Sequence, residues 1–73
     1  SIGTKVTVRT TADKKTKVFA LVGSAEADPL LDRLSNESPL GKALVGCKKG
    51  EKVTVTTPRG VVEYQVVKIE AGD

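Results

Sequence analysis

The stretch Ser38-Pro39-Leu40-Gly41-Lys42-Ala43-Leu44-Val45-Gly46 predicts one short helix with its own start and stop signals. Ser38 is a favourable N-cap residue, and Pro39 suits the first helical position because an N–H there would have no partner anyway. Gly46 can adopt the left-handed conformation that ends a helix. A helix of about two turns is marginal alone, so we expect packing against the rest of the chain to order it.

This helix has one apolar face. Leu40, Ala43 and Leu44 stand at positions i, i+3 and i+4, which brings their side chains to the same side. The sequence before and after the helix is typical of strands. We therefore expect a sheet that wraps around a single helix.

The flanking sequence predicts four strands. Lys5–Thr10 and Lys52–Thr57 alternate between apolar and polar residues, as half-buried strands do. Lys17–Val22 is mostly a continuous apolar run, which favours a central strand covered on both faces, at least in part. In Val61–Glu70 the alternation slips at Val66-Val67, which predicts either burial on both faces or a β-bulge.

The connections complete the predicted architecture. Thr57-Pro58-Arg59-Gly60 indicates a tight turn, with proline and glycine where such turns favour them. Residues 24–37 show no clear period and predict a long loop, with a short edge strand near Arg33-Leu34-Ser35. A loop of this length is unusual in so small a domain unless it is functional. The predicted class is α+β, a single domain over residues 1–73 with four or five antiparallel strands packed on one helix.

Composition excludes several classes of function. The chain has 73 residues, and it has no apolar run near the roughly 20 residues that span a bilayer. It has no signal-peptide pattern and no initiator methionine, so we expect a fragment or excised domain. It contains no histidine, the commonest general base and metal ligand. Cys47 is the only cysteine, which excludes an internal disulfide. We interpret it as a small buried or half-buried hydrophobe, with a reactive thiol as the alternative.

The charge is unevenly distributed. The net charge is +3, but residues 24–37 carry a local net charge of −3 and the other residues carry +6. This pattern argues against a simple nucleic-acid clamp, which would show a continuous basic face with stacking aromatic residues. Glu26 and Asp28 could form a carboxylate pair for acid–base or metal chemistry, but a solvated acidic loop that docks on a partner is the alternative we favour. Lys48, Lys49 and Lys52 indicate either a solvated turn or a contact with phosphate or an acidic partner.

Four segments in order resemble the C-terminal domain of the bacterial Gre transcription elongation factors. The helix segment Ser38–Gly46 resembles their S-P-hydrophobic-G/A-R/K-A-L-hydrophobic-G helix. Gly3-Thr4-Lys5-Val6-Thr7-Val8 resembles the opening strand, and Val22-Gly23-Ser24-Ala25-Glu26-Ala27-Asp28-Pro29 resembles the V-G-x-x-E-A-D loop. Thr57–Gly60 and Glu63–Val66 resemble the T-P-x-G hairpin and its last strand.

The resemblance implies an FKBP-like fold, a bent antiparallel sheet of four to five strands wrapped around one short helix. It also implies docking on bacterial RNA polymerase, at the β′ coiled coil on the rim of the secondary channel. We call the matching docking segment the acidic loop: Ser24, Ala25, Glu26, Ala27, Asp28 and Pro29. We predict no catalytic residue, cofactor or metal site in this domain. We also predict a monomeric, cytoplasmic protein without membrane contact, and we expect any nucleic-acid contact to be weak and non-specific.

In the family, a separate N-terminal coiled coil carries acidic residues that help to hold a catalytic Mg²⁺, and this promotes cleavage of backtracked RNA by the polymerase. The chain lacks that coiled coil, so we expect it to bind without stimulating cleavage. Two features depart from the family pattern: the apolar character of Leu30-Leu31-Asp32-Arg33-Leu34, and Cys47 where lysine is usual. Whether the parent protein promotes cleavage, opposes it or is another polymerase-binding homologue stays open.

Two other functions compete with polymerase docking. The fold class also suggests a peptidyl-prolyl isomerase, but those enzymes line their pocket with several aromatic residues, and this chain has only Phe19 and Tyr64. Direct nucleic-acid binding by the basic remainder would be weak and salt-sensitive, without sequence readout.

Overall fold

The chain forms one five-stranded sheet and one short α-helix, and the computed structural model describes residues 3–72. Ser1, Ile2 and Asp73 of the predicted domain lie outside the described residues. The strands are β1 (Lys5–Thr10), β2 (Thr16–Val22), β3 (Arg33–Ser35), β4 (Lys52–Thr57) and β5 (Gly60–Glu70), and the helix is α1 (Pro39–Leu44). Two 3₁₀ turns, Ser24–Glu26 and Pro29–Leu31, lie between β2 and β3.

The sheet order is β3-β2-β1-β5-β4. The four strands predicted from periodicity pair antiparallel, and the short edge strand β3 runs parallel to β2, which corrects the expectation of a wholly antiparallel sheet. A tight hairpin forces antiparallel pairing, whereas the long connection 23–32 lets the chain cross back before β3 begins. The correction leaves the predicted fold class intact.

The sheet curls so that both of its edge strands contact α1. Leu44 of the helix is buried against Val6, Val8, Phe19 and Val66, which come from the three middle strands. Leu40 packs against the same cluster from the preceding turn of the helix, as its i, i+4 spacing predicts. The predicted wrapping of a sheet around one helix is therefore confirmed.

The helix begins and ends almost where the sequence predicts. The Ser38 hydroxyl accepts a hydrogen bond from the Gly41 N–H at 3.0 Å, and Pro39 is the first helical residue. Val45 is the extended C-cap, one residue earlier than the predicted stop, and Gly46 follows with a φ of 79°. The left-handed conformation predicted for Gly46 is thus present, just beyond the cap.

Two details of the strands test the sequence predictions. A β-bulge interrupts the pairing of β1 with β5: Thr7 pairs with Lys68 and Val8 with Val66, so Val67 is the extra residue, and the slip in the sequence pattern is explained. The expectation that β2 is a central strand covered on both faces, at least in part, holds only in part. β2 pairs with a strand on each side, but on its outer face Val22 is buried while Val18 is exposed.

Candidate functional site

The acidic loop leaves the end of β2 and returns to β3 along the edge of the sheet. Its first three residues form the first 3₁₀ turn, and Pro29 begins the second. Asp28, between the two turns, is half-buried, and the other five residues of the loop are exposed. The structure therefore places the predicted site residues in one continuous, solvent-facing segment.

Asp28 holds the loop closed. Its backbone N–H donates to the Arg33 carbonyl oxygen at 2.9 Å, and the Arg33 N–H donates to the Asp28 carbonyl oxygen at 3.0 Å. Its carboxylate accepts a hydrogen bond from the Leu30 N–H at 3.1 Å and so caps the second 3₁₀ turn. Asp28 consequently contributes shape to the loop as well as charge.

The start of the acidic loop is tied to the approach to α1. The Ser24 hydroxyl lies 3.1 Å from the Ser35 hydroxyl and donates to the Glu37 carboxylate at 3.4 Å. The Ser35 carbonyl oxygen accepts a hydrogen bond from the hydroxyl of Ser38, the helix cap, at 2.7 Å. Because β3 joins these two clusters, the helix cap and the loop support each other.

The carboxylates in and near the acidic loop have separate surroundings in the part of the chain that the structure describes. Within residues 3–72 no group of three or more potential metal-ligating side chains comes together. Glu26 makes no salt bridge there, Asp28 is engaged in capping, and Asp32 pairs with Lys17 at 3.4 Å. Glu26 and Asp28 therefore place negative charge at the surface of the loop, and such charge suits recognition of a basic partner.

An exposed leucine pair beside the acidic loop is the feature that the predicted site omitted. Leu30 is 93% exposed and Leu31 is 60% exposed, and both follow Pro29 in the second 3₁₀ turn. The signal in the sequence is a Leu-Leu pair in a segment without strand or helix periodicity, so the pattern assigns the pair to no core face. Large apolar side chains held in water next to a charged loop are typical of a binding surface.

A shallow hollow of about 220 Å³ lies next to this leucine pair. It is lined by Lys5, Val18, Ala20, Leu31, Asp32 and Arg33, so no aromatic side chain contributes to it. Phe19 is buried in the core, and Tyr64 packs against the core from β5. The hollow thus lacks the aromatic lining expected of a peptidyl-prolyl isomerase, and the isomerase alternative finds no support in the site.

The basic cluster and the cysteine lie near the other edge of the sheet, before β4. Lys48, Lys49 and Lys52 are exposed around a turn in which the Glu51 carboxylate accepts the Lys48 N–H at 2.9 Å. Cys47 is half-buried, and its thiol donates to the Ala43 carbonyl oxygen at 2.7 Å. Burial, with a smaller contribution from the negative charge of Glu51, raises the pKa of the Cys47 thiol. A raised pKa disfavours the nucleophilic thiolate, so the small-hydrophobe interpretation is the better supported.

Comparison with known proteins identifies the family. The family model described as the C-terminal domain of the transcription elongation factors GreA and GreB matches residues 1–71. GreA of Clostridium acetobutylicum is 44% identical over 70 residues, covering 96% of this chain and 44% of that protein. GreA of Chloroflexus aurantiacus is 48% identical over 68 residues, covering 93% of this chain and 43% of that protein.

The crystal structure of Thermus aquaticus Gfh1 superposes with a TM-score of 0.86 at 33% identity, covering 97% of this chain and 47% of that chain. A bent five-stranded sheet around one short helix, with this level of identity, defines a domain of a bacterial transcription factor. The chain belongs to the GreA/GreB C-terminal domain family of transcription elongation factors. It spans less than half the length of these three relatives.

No helix among the described residues is long and apolar enough to cross a membrane.

Proposed function

We propose that this domain docks on bacterial RNA polymerase through the acidic loop, at the β′ coiled coil on the rim of the secondary channel. The single observation that carries the proposal is the closed, exposed loop of residues 24–29, which presents negative charge at one edge of an otherwise basic domain. Membership of the GreA/GreB family supports the choice of partner.

The proposed parent protein promotes cleavage of backtracked RNA by the polymerase and so restarts elongation, in the cytoplasm. In that scheme this domain is a monomeric binding module and not an enzyme, and the cleavage step depends on a separate coiled coil. The domain alone therefore binds without stimulating cleavage. Contact with nucleic acid, if the basic side provides it, is weak and non-specific.

A second candidate is a domain of a polymerase-binding homologue that does not promote cleavage. The observation that favours it is the similarity to Gfh1, whose Thermus thermophilus form is titled GreA factor homolog 1 and superposes with a TM-score of 0.82. The higher identity to GreA, 44–48% against 32–33%, favours the first candidate. An RNA-cleavage assay on backtracked complexes with the full-length parent protein separates the two, because only the first candidate increases the cleaved product.

The docking proposal is tested by competition. The 73-residue chain is titrated against labelled full-length GreA of Clostridium acetobutylicum bound to core RNA polymerase from the same organism. We expect the parent chain to displace GreA, and Glu26→Lys to raise the required concentration about fivefold, because a rim charge governs orientation and association rate. Asp28→Asn removes the second charge but keeps an oxygen that can cap the 3₁₀ turn, so a loss of competition there reports charge rather than unfolding.

Glu63→Lys on β5 is the matched control, since it makes the same change of charge on a strand that does not touch the acidic loop. Equal competition by the parent chain, Glu26→Lys and Asp28→Asn would refute the loop assignment. Failure of the parent chain itself to compete would refute polymerase docking.

A further inference from the structure

An apolar strip continues from the acidic loop onto the outer face of β2. Leu30 and Leu31 stand on the second 3₁₀ turn, and Val18, which is 48% exposed, lines the hollow together with Leu31. Ala20 completes the apolar part of the hollow. The strip accounts for part of the apolar run of β2, because Val18 and Ala20 lie at its surface while Val22 on the same face is buried.

Hydrogen bonds hold the strip in a defined shape. The Leu30 N–H donates to the Asp28 carboxylate, and the Leu31 N–H donates to the Asp28 carbonyl oxygen at 3.0 Å. Asp32 adopts a left-handed conformation, with a φ of 55°, and its N–H donates to the Pro29 carbonyl oxygen at 3.1 Å. Since the backbone that carries both leucines is already ordered, little conformational entropy is lost when a partner covers them.

The charges around the strip select the kind of partner. Residues 24–37 carry a net charge of −3, whereas the rest of the chain carries +6. The carboxylate of Asp32 stands at the rim of the hollow, where Lys17 pairs with it. Lys5, Arg33 and the Lys17–Asp32 pair surround the hollow, whereas the acidic loop borders the strip at its Leu30 end. The Leu30 end therefore fits a protein surface that offers an apolar pocket bordered by lysine or arginine.

We infer that the polymerase-binding surface extends beyond the acidic loop: Leu30 inserts into an apolar pocket on a basic surface of RNA polymerase, and the hollow at Val18 and Leu31 receives an apolar side chain from that surface. This inference rests on the proposed function, because it takes the polymerase as the partner. Leu30 is the expected anchor, since it has the greatest exposed fraction of the six exposed large apolar side chains among residues 3–72.

The test is direct binding of the fluorescently labelled 73-residue chain to Clostridium acetobutylicum core RNA polymerase. We expect Leu30→Ser to weaken binding about tenfold, because a buried leucine side chain contributes roughly the free energy that a factor of ten in Kd requires. We expect Val18→Thr to weaken it about threefold, because the substitution introduces a hydroxyl at an apolar contact.

Val61→Thr is the matched control. Val61 is 69% exposed on β5, beside the β4–β5 turn, so the same substitution there leaves binding unchanged. Because Leu30, Val18 and Val61 are all exposed, circular dichroism of each variant should match the parent chain, which separates loss of contact from loss of fold.

The outcomes distinguish this inference from the proposed function. If the parent chain binds, Glu26→Lys weakens binding, and Leu30→Ser and Val18→Thr bind like the parent, the extended surface is refuted while loop docking stands. If the parent chain does not bind polymerase, the proposed function fails and the inference fails with it. If sedimentation equilibrium shows a dimer that Leu30→Ser dissociates, the strip binds a second copy of this chain, and polymerase as its occupant is refuted.

Discussion

The connection from β2 to β3, which contains the acidic loop, and the β4–β5 hairpin both have a large exposed apolar side chain in or beside them, yet they are built differently. The hairpin turn is held locally: the Thr57 hydroxyl donates to the Gly60 carbonyl oxygen at 2.8 Å and accepts the Arg59 N–H at 3.2 Å. The acidic loop is held by bonds between residues distant in sequence, such as the 3.1 Å contact between the Ser24 and Ser35 hydroxyls.

This difference indicates what each connection is for. A two-residue turn needs only to reverse the chain, and proline and glycine near it make that reversal easy. Ordering a longer segment costs about 1–2 kcal/mol per residue in backbone entropy, so a long loop with a fixed shape must be stabilised by many contacts. The acidic loop has those contacts while its outer side chains stay exposed, as expected of a surface shaped for a partner.

The largest expected effect comes from a substitution that separates the loop from its support. A Cβ added at Gly41 would overlap the Ser35 carbonyl oxygen and lie 2.8 Å from the Ser38 hydroxyl. We expect Gly41→Ala to lower the free energy of unfolding by about 3 kcal/mol, because α1 must move away from β3. Urea denaturation followed by circular dichroism measures the loss.

The hairpin supplies the control for this substitution. Gly60 has a φ of 120° and open space around its Cα, so Gly60→Ala introduces backbone strain without a clash. We expect it to cost about 1–2 kcal/mol. If Gly60→Ala lowered the free energy of unfolding more than Gly41→Ala, this would contradict tight packing of α1 and its cap Ser38 against Ser35 of β3.

The next effect concerns the cap inside the acidic loop. Asp28→Ala removes the acceptor of the Leu30 N–H and should lower the free energy of unfolding by about 1 kcal/mol, whereas Asp28→Asn keeps an acceptor and should cost only a few tenths. Thr57→Ala in the hairpin removes exposed, local hydrogen bonds and should cost about 0.5 kcal/mol. Thermal and urea unfolding of the three variants check this order; equal losses from Asp28→Ala and Asp28→Asn would mean that the carboxylate contributes charge alone.

The regular elements were predictable because their signals are local. Ser38 caps α1, Thr57–Gly60 forms the β4–β5 turn, and a β-bulge explains the slip at Val66-Val67. Each of these features follows from the conformational preferences or the apolar period of a few neighbouring residues. The chemical character of the acidic loop was predictable for the same reason. Its charges are adjacent in sequence, so no folding is needed to bring them together.

The remaining features depend on contacts between distant residues. The parallel pairing of β3 and the exposure of Val18 arise from the path of the chain between β2 and β3, which leaves no periodic signal. Leu30 and Leu31 depart from the family pattern, but apolar residues in an aperiodic segment are compatible with a core or a surface. Only the closure of the loop by Asp28 and Arg33 places them on the surface.

The smallest expected effect is a change with pH in the free energy of unfolding that comes from the thiol of Cys47. This thiol lies near the β4 edge of the sheet, away from the acidic loop. Because burial and, less strongly, Glu51 raise its pKa in the folded chain, the folded state favours the neutral thiol. The resulting stabilisation is complete below the ordinary thiol pKa and is lost as pH rises through the raised pKa of the folded state.

Other groups also titrate at alkaline pH, so the informative quantity is the difference in unfolding free energy between the parent chain and Cys47→Ala. This difference should be constant from pH 6 to about pH 8 and should shrink above that range, when measured by urea denaturation in a reducing buffer. If the difference in unfolding free energy stays constant to about pH 10, burial of the Cys47 thiol is contradicted, because a buried thiol must lose stability as it ionises.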